Sequence, residues 1–98
     1  MRIFKYPLTP PRAAISPFDV EMPKGAHVLS VGVQGDDEMV AWALVDPDAE
    51  KVVRRFAVYP TGLVEVSPHP GRFIGTVMFE RGRLVFHVFD VGESPPAA

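Results

Sequence analysis

The chain has 98 residues, enough for one domain with one modest core and too few for a second. Ten Lys and Arg against twelve Asp and Glu leave a formal charge of −2, without the basic excess by which most nucleic-acid binders neutralise phosphate. The absence of cysteine excludes disulfides, zinc–thiolate sites and thiol catalysis, and eleven Pro with eight Gly leave little room for long helices.

Arg2 to Tyr6 alternates weakly and stops at Pro7, which reads as a short strand. Thr9 to Pro17 carries Pro10, Pro11 and Pro17 and reads as an extended loop. In Phe18-Asp19-Val20-Glu21-Met22 the apolar side chains share one face and the acids the other, the pattern of a half-buried strand. Pro23-Lys24-Gly25 turns the chain. His27 to Gln34 is the next strand, with Leu29, Val31 and Val33 on one face and Val28, Ser30 and Gly32 on the other. A turn at Gln34-Gly35-Asp36-Asp37 leads to Met39–Val45. Both faces of that run are apolar, as in a central strand, and the two runs read as a hairpin.

Asp46-Pro47-Asp48-Ala49 fits a type I turn, with Asp first and Pro second. Val52 to Tyr59 is a strand ended by Pro60. Thr61 to Gly71 is a loop in which Leu63–Val66 is considered as a short strand. Phe73–Glu80 and Arg83–Asp90 are two strands about Arg81-Gly82. The expectation is an all-β domain over residues 1–91, a small antiparallel β-sandwich or barrel of about seven short strands. Residues 92–98 are expected to form a disordered tail.

Candidate chemistry is sparse. Arg54 and Arg55 are adjacent in a strand and so point to opposite faces, Arg54 with Val52, Phe56 and Val58, and Arg55 with Val53, Ala57 and Tyr59. Two readings stand. Arg55 and Tyr59 form an anion or aromatic contact, or Arg54 pairs with a carboxylate at the core edge, Asp46 being a candidate, and Arg55 is solvated. His27, His69 and His87 fall in no metal-binding spacing, so neither a metal nor a cofactor is expected. His87, on a face with Val85 and Phe89, is either a contact or proton-transfer group or a satisfied histidine. No serine stands in a Gly-x-Ser-x-Gly turn, and the acids Asp36, Asp37 and Glu38 belong to a turn, where solvated carboxylates are ordinary. Thr61 and Gly62 open the loop favoured as a contact surface, because sandwich loops commonly carry binding residues. The strand aromatics, Trp42, Phe73 and Phe89 among them, are assigned to the core.

The phrases Ile3-Phe4-Lys5-Tyr6-Pro7-Leu8, Glu21-Met22-Pro23-Lys24-Gly25-Ala26 and Val28-Leu29-Ser30-Val31 carry a resemblance. It continues through Trp42-Ala43-Leu44-Val45-Asp46-Pro47, Arg54-Arg55-Phe56 and Thr61-Gly62. It closes on Phe73-Ile74-Gly75-Thr76-Val77 and Leu84-Val85-Phe86-His87-Val88-Phe89. In these phrases, which run in one order over residues 1–90, the chain resembles a family of short phage and prophage proteins known as a domain of unknown function. It departs from that pattern in a longer Pro-rich loop before Phe18, in Phe86 where Trp is expected, and in an added tail.

The resemblance implies a phage or prophage origin and no catalytic residues. The expected function is a non-enzymatic, host-directed binding protein, such as an anti-defence inhibitor. It would act by occupying a host protein or sequestering a signalling nucleotide, through Arg54, Arg55, Tyr59, Thr61, Gly62 and His87. The alternative is a minor virion or assembly component. Direct nucleic-acid binding is not expected. The opening residues lack the apolar run of a signal peptide, and no stretch approaches the roughly 18 apolar residues of a membrane span. The expected location is therefore the cytoplasm of a bacterial host, and a homodimer is the simplest assembly considered.

Overall fold

Alternation of apolar and polar residues sets which side of each strand is buried, and the chain stacks two such sheets face to face. The computed structural model describes residues 1–8, 17–62 and 65–94. The described residues form β1 (Arg2–Pro7), β2 (Phe18–Pro23), β3 (His27–Gln34), β4 (Glu38–Val45), β5 (Lys51–Pro60), β6 (Arg72–Phe79) and β7 (Leu84–Ser94). A three-stranded sheet has the order β1-β4-β3 and a four-stranded sheet the order β2-β5-β7-β6, with every pairing antiparallel. The sheets pack as a sandwich and do not close into a barrel. The Pro-rich loop up to Ser16, Leu63–Val64 and residues 95–98 lie outside the described residues. Glu65 and Val66 are not strand, so they do not form the end of the short strand considered there. At the other end, β7 runs on to Ser94, past residue 92 where the sequence placed the start of the tail, because Gly92 and Glu93 pair with Arg55 and Arg54.

The core lies between the inner faces. The three-stranded sheet contributes Val28, Met39, Ala41, Ala43 and Val45, and the four-stranded sheet contributes Phe18, Met22, Phe56, Val58, Val77 and Val88. β4 is the central strand of its sheet, as its two apolar faces predict. The Asp46 turn closes as expected, with Ala49 N–H donating to Asp46 O at 3.1 Å and Asp48 N–H to Asp46 Oδ1 at 3.0 Å. On one side of the sandwich β3 lies against β6, and the approach is close. A Cβ on Gly75 would stand 3.0 Å from Val31 Cγ1.

Three bulges depart from simple alternation, with Leu29, Ile74 and Val91 each an extra residue in its ladder. The first overturns the face assignment in β3. Past Leu29 the parity shifts, so Val28, Val31 and Val33 pack toward the core together while Leu29 is exposed.

A buried ion network holds one end of the sandwich. Arg54 is the core-edge residue its strand face predicts, but its partner is Asp90, not Asp46. Arg54 Nε donates to Asp90 Oδ1 at 2.9 Å and Nη2 to Oδ2 at 2.7 Å, a two-pronged pair whose side chains are 13% and 3% exposed. Arg54 Nη1 donates to Ala26 O at 2.7 Å and lies 3.5 Å from Glu93 Oε1. Arg72 Nη2 donates to Val28 O at 2.6 Å and stands 3.7 Å from Asp90. The network thus joins β5, β6 and β7 of one sheet to the start of β3 in the other.

The outer face of the three-stranded sheet is covered in part, over Gly32 and Val40, while Ile3 at the β1 edge stays 61% exposed. A Cβ on Gly32 would lie 3.1 Å from Trp42 Cζ3, so the indole leans over the glycine of the neighbouring strand. Lys5 Nζ donates to Gln34 Oε1 at 3.0 Å, which carries its stem from β1 across β4 to β3 over Val40, a residue only 1% exposed. Trp42, expected in the core, is therefore half-buried on the outside of its sheet.

Replacing Asp90 by Ala strands a buried guanidinium, so Asp90→Ala should lose about 3 kcal/mol or more in urea unfolding. Asp19→Ala, which frees only the exposed Arg55, should leave the midpoint nearly unchanged. Gly32→Val should push the indole of the single tryptophan off the sheet and red-shift its emission, with the fold retained by circular dichroism. Tyr6 gives a pH signature. Its hydroxyl is buried without a partner among the described residues, and burial raises its pKa above the ordinary 10.0. The unfolded chain loses that proton first, so this contribution is full below pH 10.0 and is lost as pH rises toward the folded-state value. Tyr6→Phe should be at least as stable as the parent at neutral pH, and its urea midpoint should fall less between pH 8 and 11.

Candidate functional site

The outer face of the four-stranded sheet divides in two. Toward β2 it is charged, with Asp19 and Glu21 on β2 facing Arg55 and Val53 on β5. Toward β6 it carries no charge. There the ladder sets Ala57, Phe89 and Phe73 in one row, Tyr59, His87 and Thr76 in the next, and Val85 and Met78 in a third. Phe73 is 54% exposed and Met78 59% exposed, large apolar side chains left in water on one face. Phe89 centres the aromatic group, edge-on to Tyr59 at 5.7 Å and to Phe73 at 5.5 Å.

A polar chain crosses this apolar half. His87 Nε2 lies 2.7 Å from Thr61 Oγ1 and Nδ1 3.0 Å from Thr76 Oγ1. Thr61 Oγ1 is also 3.5 Å from Val85 O, which already accepts the Thr61 backbone N–H at 3.1 Å. One assignment uses every hydrogen. Thr76 donates to Nδ1, Nε2–H donates to Thr61, and Thr61 donates to the Val85 carbonyl. His87 is then bonded through both ring nitrogens and fixed in orientation.

Of the residues proposed from sequence, Tyr59, Thr61 and His87 come together here. Gly62 follows Thr61 in an exposed turn at a φ of +72°, a backbone position suited to glycine. The arginines do not join them. Arg54 lies on the inner face with Asp90, whose hydrogen bonds raise its pKa against the opposing pull of burial, with added attraction from Asp90 and Glu93. Arg55 shares the outer face with Tyr59 but stands two residue pairs away, about 13 Å along the strand. Its Nε donates to Asp19 Oδ1 at 2.9 Å, and that bond raises its pKa. The Arg55–Tyr59 contact is thus absent, and both guanidiniums are held by carboxylates.

Phe73, Thr76, Met78 and Phe89 belong to the face and were not singled out as contact residues from sequence. Phe89 carries a legible signal, since it shares a strand face with His87. Phe73 does not, because the Ile74 bulge alone sets its direction. Among the described residues no helix is long and apolar enough to cross a membrane.

Comparison with curated proteins and with solved structures finds no match. A family model, described as a domain of unknown function (DUF7352), matches residues 1–98, the whole chain. The chain belongs to that family.

Proposed function

We propose that the protein is a non-catalytic binding protein that occupies a protein partner through the uncharged half of its four-stranded sheet. The observation that carries this reading is the contrast between the two outer faces. The three-stranded sheet covers Gly32 and Val40 with Trp42 and Lys5 and leaves Ile3 exposed alone on its edge strand, whereas the four-stranded sheet leaves Phe73 and Met78 uncovered together beside two aromatic rings. Exposed aromatics around a fixed polar centre are the composition of an interface core.

The geometry of His87 favours occupancy over catalysis. A threonine stands at Nδ1, where a triad would place a carboxylate, and in the assignment that uses every hydrogen Nε2–H points at Thr61 and offers that hydroxyl no lone pair. Sequestration of an anionic nucleotide has less support than a protein partner, because Arg54 and Arg55 are both engaged by carboxylates. The resemblance to phage and prophage proteins supports a host-directed target, a bacterial defence protein being the class in view.

The test is affinity purification of the tagged protein from infected bacterial cells, with mass spectrometry of what coelutes. One host protein should copurify in stoichiometric amount. The Phe73→Ala/Met78→Ala variant, its fold checked by thermal melting, should bind that protein at least about tenfold more weakly. Lys5→Ala on the opposite face should bind normally. Retention by the double variant, or coelution of virion proteins alone, would replace this reading with a structural role in the particle.

A further inference from the structure

The hydrogen bonds of the His87 chain also determine what the face has left to offer. In the assignment that uses every hydrogen, Thr76 gives its only hydroxyl hydrogen to Nδ1, and Thr61 gives its own to the Val85 carbonyl while accepting from Nε2. In that assignment both threonine oxygens turn lone pairs, and no hydrogens, toward solvent. The rings of Tyr59, Phe89 and Phe73 lie in the same and the adjoining row of this face, and an aromatic face is the negative side of its quadrupole. No cation stands in these rows. Arg55 is held by Asp19, while Arg81 and Arg83 lie on the exposed β6–β7 connection together with Glu80.

An anion placed here meets lone pairs and ring faces of its own sign. A cation meets complementary lone pairs and ring faces. We infer that the face recognises a cationic side chain of its protein partner, a guanidinium or ammonium seated against the aromatic rings with its N–H groups directed at Thr61 and Thr76. Arginine fits best, since its planar fork can stack on a ring and still donate to two oxygens. This inference rests on the face being the contact surface, and it deepens that reading by naming what the partner presents.

A library of random 12-residue peptides displayed on yeast and selected against the full-length protein provides the probe. The enriched peptides should carry arginine or lysine beside apolar residues. Replacing that arginine by citrulline, which keeps the shape and removes the charge, should weaken binding at least about tenfold, and Thr76→Val should weaken the arginine peptide more than its citrulline form. Phe73→Ala should weaken both. If citrulline binds as well as arginine while Phe73→Ala still abolishes binding, or if acidic peptides are enriched at the same face, the cation inference falls and the contact face stands. If Phe73→Ala leaves the selected peptides bound, the contact face itself is wrong.

Discussion

Asp90 is the group on which the arrangement depends. It is buried, yet its carboxylate faces two guanidiniums, and its Oδ1 also accepts the Gly92 N–H at 3.0 Å. A charge in that position is tolerable only when paired and hydrogen-bonded, so the pairing specifies the geometry around it more than it adds net stability. The bond to Gly92 closes over the extra residue Val91 and fixes the bulge in β7. Above the bulge, Phe56 faces Asp90 and Tyr59 faces His87. A slip of one residue would turn His87 and Phe89 inward and send Val88 out. The buried pair therefore sets the register of the candidate site, whose first row, Phe73 and Phe89, adjoins Arg72 and Asp90.

The two outer faces show how one composition yields two surfaces. Each sheet has apolar residues on both sides of a strand, which leaves hydrophobic area facing water. In the three-stranded sheet a glycine lies beneath a tryptophan and a lysine stem crosses the row beyond it, so these residues cover one another and only Ile3 at the edge strand stands well exposed among that sheet's paired outer rows. In the four-stranded sheet the pairs across the ladder are aromatic on aromatic and histidine on tyrosine. Such pairs stabilise the sheet edge-on while leaving ring area exposed. That leftover area, with a polar chain fixed inside it, separates this surface from ordinary scattered exposure.

The polar chain matters as much as the rings. An imidazole with both nitrogens engaged is a rigid element, and the two threonines that engage it come from different segments, Thr76 from β6 and Thr61 from the loop after β5. Thr61 is tied again by its backbone to β7. The loop is thereby anchored to the sheet at its first residue, and the face is organised before any partner arrives. Preorganisation of this kind lowers the ordering cost of association.

Much of the architecture was legible from alternation and turn chemistry, because both are local. The strands from Phe18 to Met22 and from Met39 to Val45, the Asp46 turn, and the opposite directions of Arg54 and Arg55 all follow from a side-chain period of two and from residues suited to turns. The placement of Tyr59 and His87 on outward faces was equally local. Three things were not. The sequence held both sandwich and barrel open, since closure depends on which edges meet. The partner of Arg54 lies 36 residues away in β7, and only strand pairing brings it there. The directions of Leu29 and Phe73 depend on bulges, which insert one residue and reverse every face beyond them without altering the local pattern. By itself the sequence determined that the chain builds antiparallel strands with particular residues on particular faces. The tertiary structure decided which faces meet each other and which meet water, because that choice is made by contacts between residues far apart in the chain.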